Sequence, residues 1–137
     1  MKIGDLAQRA GTTPRTIRYY EEIGLLACGS REKGKHRVYD DSDVERLEEI
    51  RRLRDLLGLE LDQVKSLLEA EDARAELRRR YHATDDPVER RRILEQALPH
   101  VTQQLDLVRA RKEELLKLEH ELLDKRRRLR ARLREIE

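Results

Sequence analysis

The chain has 137 residues, of which 44% are charged and 37% hydrophobic, with a formal net charge of +2 and neither Phe nor Trp. So little apolar mass does not fill one compact core of this length; it suits a small head joined to long charged helix, and the expected fold class is mainly α. No run approaches the ~18 apolar residues of a membrane span, the N-terminus lacks the apolar core of a signal peptide, and the single cysteine, Cys28, can neither close an internal disulfide nor build a multi-thiolate metal site, so a cytoplasmic protein without membrane contact is expected.

Ile3, Leu6, Ala7 and Ala10 recur at helical spacing and stop at Gly11, a residue suited to the left-handed conformation that ends a helix. Thr13 can cap, and Pro14 can take the first position of, a second helix predicted over Pro14–Ile23 and ended by Gly24. Ile17 is that helix's natural core contact. Arg15, Thr16, Arg18 and Tyr19 are left to share its outer surface, where they can bond phosphates or base edges.

Leu25 and Leu26 lead into the polar, Gly-punctuated stretch 29–35 and then His36-Arg37-Val38-Tyr39, whose composition suits a short strand; the pattern predicts a two-stranded wing with a basic tip. Broken up by position, the charge is strongly local. Residues 1–20 carry Lys2, Arg9, Arg15 and Arg18 against Asp5; residues 31–39 carry Arg31, Lys33, Lys35 and Arg37 against Glu32; residues 40–49 carry six acids against Arg46. The two basic clusters can form one face for a polyanion, and the acidic run cannot belong to it.

Ser42-Asp43-Val44-Glu45 has the spacing of a capping box, and Val44, Leu47, Ile50, Leu53, Leu56 and Leu57 follow at helical period until Gly58, giving a third helix beneath the first two. Leu61, Val64, Leu67 and Leu68 give a fourth, fading into the charged run Glu69–Arg80. Asp85 or Asp86 can cap a connector helix from Pro87 to about Ala97. Pro99 forbids a normal backbone bond, so the last helix is predicted to begin near Leu98 and to run about 60 Å at 1.5 Å per residue.

Along it Leu98, Val101, Leu105, Val108, Leu115, Leu122, Leu129, Leu133 and Ile136 alternate at spacings of three and four, the seam of a coiled coil, so homodimerisation through this helix is expected. Lys112, Glu119 and Arg126 interrupt the seam and Leu116, Leu118 and Leu123 lie beside it, which disfavours a simple leucine zipper. The chain is thus divided into a winged helix-turn-helix head (1–70), a helical connector of unassigned role (71–97) and a coiled-coil dimerisation helix (98–137).

The run Ile3-Gly4-Asp5-Leu6-Ala7, the string Thr16-Ile17-Arg18-Tyr19-Tyr20-Glu21 with Gly24-Leu25-Leu26, the triplet Arg37-Val38-Tyr39 and the turn Gly58-Leu59-Glu60-Leu61-Asp62-Gln63-Val64 resemble, in order and spacing, the DNA-binding domain of the mercury-resistance regulator (MerR) family. The likeness spans roughly residues 3 to 70. Glu60 departs from it, since the family commonly caps its fourth helix there with Ser or Thr. The resemblance implies a second helix in the major groove of double-stranded promoter DNA, a wing on the backbone, and a long helix antiparallel to its twofold mate. It assigns Arg15, Thr16, Arg18 and Tyr19 to groove and phosphate contacts, and Arg37 and Tyr39, with Lys33, Lys35 and His36, to the wing. It further implies a regulator that bends and untwists its promoter, reaching RNA polymerase only indirectly.

His36, His82, His100 and His120 are scattered with no acid or thiol at ligand spacing, and no nucleophile–base set, paired carboxylates or phosphate-cradling Gly loop is present, so no catalytic, metal-ligating or cofactor-binding residue is assigned and no enzyme is expected. After residue 70 the only aromatic is Tyr81, which offers no conventional pocket for a small-molecule effector. The basic run Lys125–Arg134 reads as the solvated end of the coiled coil. Two other readings stay open: an architectural DNA-binding protein, and a protein-interaction scaffold without an effector-controlled switch.

Overall fold

The computed structural model describes residues 1–27, 30–32 and 36–137, with side chains for 1–27 and 38–137. In chain order come α1 (Ile3–Ala10), α2 (Pro14–Glu22), β1 (Ser30–Glu32), β2 (His36–Val38), α3 (Asp41–Leu57), α4 (Leu61–Ala83) and α5 (Pro87–Ile136). Two compact units result, Met1–Asp72 and Ala73–Glu137, and the boundary falls inside α4.

In the first unit the helix ends follow local chemistry. Gly11 and Gly58 close α1 and α3 at φ 67° and 62°, a region costly for residues with a Cβ. Thr13 caps α2, and Pro14 stands at its first position, where the missing N–H costs nothing. α1 packs on α2 and α3, and Leu6, Ile17, Leu25, Ile50 and Val64 are fully buried between the helices. β1 and β2 pair antiparallel with Ser30 facing Val38, Arg31 facing Arg37 and Glu32 facing His36.

Three expectations are corrected. The third helix is not capped by Ser42: Asp40 is the N-cap, its carboxylate accepting from the Ser42 amide at 3.0 Å, while Asp43 accepts from the Asp40 amide at 2.9 Å. An acid–acid capping box two residues upstream outcompetes the Ser–Glu pair because both carboxylates also meet the positive end of the helix. Second, α4 does not fade at Glu69 but continues to Ala83. Its charged run pairs with itself at helical spacing, Glu76 with Arg79 and Lys65 with Glu69, and Leu77 buries inward.

Third, no break separates a connector helix from the last one, for α5 is a single 50-residue helix with Pro99 in its interior. Pro99 costs one backbone bond, to the carbonyl of Glu95, and strong helix formers on both sides carry the helix across it. In the second unit the end of α4 and the start of α5 form a helical hairpin. Asp86 caps α5 by accepting from Val88 N at 3.1 Å, Arg90 donates to the Thr84 carbonyl at 2.8 Å and lies 4.6 Å over the Tyr81 ring, and Arg80 pairs with Glu89 at 3.3 Å. Farther along, Arg74 donates to Gln104 at 3.1 Å, and Leu77 and Ile93 are buried. Among the described residues no helix is long and apolar enough to cross a membrane.

Candidate nucleic-acid interface

The inner face of α2 is fixed by burial. Ile17 is fully buried, Tyr20 and Glu21 nearly so, and the amides of Leu25 and Leu26 return to the carbonyl of Tyr20 at 2.8 and 3.2 Å, which binds the following turn to the helix. With that face committed, Arg15, Arg18 and Tyr19 project outward, Tyr19 at 49% exposure, and Thr16 is half-buried. Thr16 is held by its cap: its amide donates to Thr13 Oγ1 at 3.2 Å, and the Thr13 hydroxyl donates to Thr16 Oγ1 at 3.0 Å. Tyr19 and Tyr20 lie 6.2 Å apart between ring centroids, one outside and one inside. The outer surface of α2 therefore presents two guanidinium groups and a phenol on a rigid short helix, chemistry suited to phosphate oxygens and base edges.

Two arginines outside the expected set hold this surface in place. Arg51 of α3 donates to the carbonyls of Ala10 and Gly11 at 2.8 and 2.6 Å, satisfying the end of α1 at the turn that launches α2. Arg46 donates through Nε to the Leu25 carbonyl at 3.1 Å and makes a two-pronged pair with Asp72 at 3.1 Å for each arm, tying the exit of α2 to α4. Arg46 carried a sequence signal, as the only base in an acidic decade. Arg51 had none beyond its place on a helix.

Tyr39 requires a correction. Expected as a wing contact, it is 2% exposed, and its hydroxyl donates to Glu21 Oε1 at 3.0 Å inside the core. Its backbone exchanges two bonds with Met1, N to O at 2.8 Å and the Met1 nitrogen to the Tyr39 carbonyl at 2.6 Å. Strand alternation explains the reversal, because Val38 next to it points outward and is exposed. Lys33 and Lys35 lie outside the described residues, as do the side chains of His36 and Arg37. Of the expected dimerisation residues, Val101, Leu105, Val108, Leu115, Leu122, Leu129 and Leu133 all lie along α5 and are exposed in the single chain. Among the described residues no group of three His, Cys, Asp or Glu side chains is placed to hold a metal ion.

Residues 1–71, the whole of this helix-turn-helix and hairpin and the first half of α4, match the description "MerR HTH family regulatory protein". The chain belongs to the MerR family. This MerR-family chain is 37% identical to the HTH-type transcriptional regulator YfmP of Bacillus subtilis over 79% of its own length and 77% of the relative's. It is 44% identical to the HTH-type transcriptional activator TipA of Streptomyces coelicolor over 58% of its length, and spans 32% of that longer protein. Among solved structures it is similar to the transcription regulator PbrR691 of Ralstonia metallidurans, determined in complex with lead(II), at 33% identity and a TM-score of 0.49 over 93% of this chain and 86% of that one. The MerR-family membership makes it a DNA-binding transcription regulator, and the relatives it matches are regulators rather than enzymes.

Proposed function

We propose that the chain acts as a homodimer in the cytoplasm that seats α2 of each copy in the major groove of a pseudo-palindromic promoter site, lays the β1–β2 hairpin on the flanking backbone as a wing, and bends and untwists the intervening DNA to control transcription. RNA polymerase feels the protein only through the altered DNA. The observation that carries this reading is the outer face of α2: Arg15, Arg18 and Tyr19 stand exposed on a helix whose opposite face is locked by Ile17 and whose start is capped by Thr13.

With Tyr39 withdrawn into the core, the contact set is Arg15, Thr16, Arg18 and Tyr19 on α2 with Lys33, Lys35, His36 and Arg37 at the hairpin. Phosphate contacts supply affinity and salt dependence, while the few side chains that reach base edges set the sequence. Residues 1–70 are the reading head, 98–137 the dimerisation helix, and 71–97 the helical connector in the chain between them. Bending DNA costs several kcal/mol, which two heads on one stiff support can offset together.

A nuclease footprint on DNA upstream of the chain's own gene and neighbouring operons tests this. The expected result is a protected inverted repeat within a promoter spacer, with hypersensitive bases at its centre. Diffuse, salt-sensitive protection without a repeat would overturn the sequence-specific reading in favour of architectural binding.

A further inference from the structure

The head holds a cleft of about 600 Å³, within the range that takes a small molecule. Leu47, Ile50, Arg51, Arg54 and Asp55 recur at i, i+3, i+4, i+7 and i+8, so they share one face of α3, which forms one wall. Ala10 and Thr12, at the turn between α1 and α2, and Leu59 and Glu60, at the turn between α3 and α4, complete it. The floor is apolar, since Ala10, Leu47, Ile50 and Leu59 are all buried, and the exposed rim is charged.

Tyr20 of α2 lines the same cleft and is only 9% exposed, yet its hydroxyl has no hydrogen-bond partner among the described residues. A tyrosine so buried ordinarily bonds through its hydroxyl, as Tyr39 does with Glu21. Among the described residues no buried side-chain nitrogen or oxygen is sealed off without a partner, so the Tyr20 oxygen is reachable, and the cleft that its side chain lines is where a partner can meet it. The rim repeats the pattern. The side chains of Arg54, Asp55 and Glu60 pair with no described residue, and Arg51, which gives Nη2 to the Ala10 and Gly11 carbonyls, keeps Nη1 and Nε without a described partner.

We propose that this cleft binds a small zwitterion with an apolar body, the chemistry of a free apolar amino acid. Arg51 and Arg54, one turn apart on α3, receive its carboxylate, and Asp55 and Glu60 receive its ammonium. The apolar part rests on the buried floor, and the Tyr20 hydroxyl supplies one more hydrogen bond. A rim with two cations and two anions selects against a ligand of single charge, which leaves one pair facing the wrong group or none. An occupant also links the turn that launches α2 to the turn that launches α4, and it stabilises the folded head because the unfolded chain offers no such site. The cleft lies on the inner side of α2, apart from the outer face assigned to DNA.

Titration of the full chain with L-leucine and L-phenylalanine tests it, followed by amide chemical-shift mapping and by melting temperature. The expected result is a set of shifts centred on Thr12, Tyr20, Ile50 and Leu59, with a melting temperature that rises with ligand. Phenylpropionate and phenethylamine, which each keep one of the two charges of phenylalanine, are expected to bind at least about tenfold more weakly. Tyr20→Phe should melt with the parent, because a hydroxyl without a partner in the protein has no bond to lose, and should weaken binding about fivefold. Arg54→Gln, at an exposed position, should weaken it at least about tenfold. Absence of shifts with both amino acids up to about 10 mM overturns the site. Phenylpropionate or phenethylamine binding as well as phenylalanine overturns the zwitterion, and a Tyr20→Phe chain that melts lower and binds unchanged makes the hydroxyl structural.

Discussion

The hydroxyl of Tyr39 donates to the carboxylate of Glu21 across 3.0 Å in the core, joining the residue that follows β2 to the last turn of α2. The bond fixes where the hairpin emerges relative to the helix, and it does so through an oxygen that neither segment shares with solvent. A hydrogen bond to a charged group in such a place is worth about 1.5–3 kcal/mol. Tyr39→Phe is expected to lower unfolding stability by that amount, measured by chemical denaturation. Arg18→Ala, on the exposed face, is expected to stay within about 0.5 kcal/mol of the parent. If Tyr39→Phe were as stable as the parent and lost only DNA affinity, Tyr39 would be a DNA contact after all.

The two guanidinium groups on α2 are expected to act through phosphates or base edges, and salt dependence distinguishes the two. Replacing a phosphate contact lowers the slope of log affinity against log salt by about 1 and weakens all sequences alike. Replacing a base contact costs about 1–3 kcal/mol and relaxes one position of the site. Arg15→Ala and Arg18→Ala should each follow one of these patterns in anisotropy titrations over a salt series. Unchanged affinity in the combined Arg18→Ala and Arg37→Ala variant would show that the interface lies elsewhere.

Gly11 sits at φ 67°, and a Cβ there would come within 3.0 Å of the Arg51 guanidinium, the group that satisfies the end of α1. Gly11→Ala is expected to cost about 1–2 kcal/mol from the backbone alone, and more from displacing Arg51. In a double-mutant cycle with Arg51→Ala the two losses should fall short of additive, because the second substitution removes the group that the first one pushes aside. Full additivity would mean that Arg51 gives way without loss.

The Ser42 hydroxyl and the amides of Ser42 and Asp43 hold the Asp40 carboxyl below its ordinary value, and the Arg52 guanidinium does the same for Glu49. A folded-state value below the unfolded one stabilises above the unfolded carboxylate range, and that contribution disappears as pH falls through the lowered value. Melting temperature should therefore be level from neutral pH to about 5 and decline below about 4. Asp40→Asn keeps a good cap while removing the titration, so its acid decline should be shallower. An identical decline would assign the effect to other carboxylates.

The sequence made some elements plain and concealed others for physical reasons. The ends of α1 and α2 were legible because Gly11, Thr13 and Pro14 each do one job that few residues can do. The exposed face of α2 followed from Ile17 and helical period alone. The start of α3 was not legible, since Asp40 with Asp43 and Ser42 with Glu45 offer two overlapping caps, and only the path of the chain from β2 chooses between them. Tyr39 was misplaced because a tyrosine after a basic strand has the same composition whether its ring faces out or in. Arg46 and Arg51 gained their roles from carbonyls at Leu25, Ala10 and Gly11, contacts distant in sequence that no local pattern encodes.

Pro99 has a mechanical consequence for α5. Without an amide proton at this position the carbonyl of Glu95 is one rung short, so the turn from 95 to 99 resists bending less than the turns on either side. A load applied along the helix is then concentrated at one known place. The part built into the hairpin by Leu77 and Ile93 and the part bearing the seam behave as two stiff rods in series, and strain from one reaches the other as a change of angle at this joint rather than as fraying at the ends.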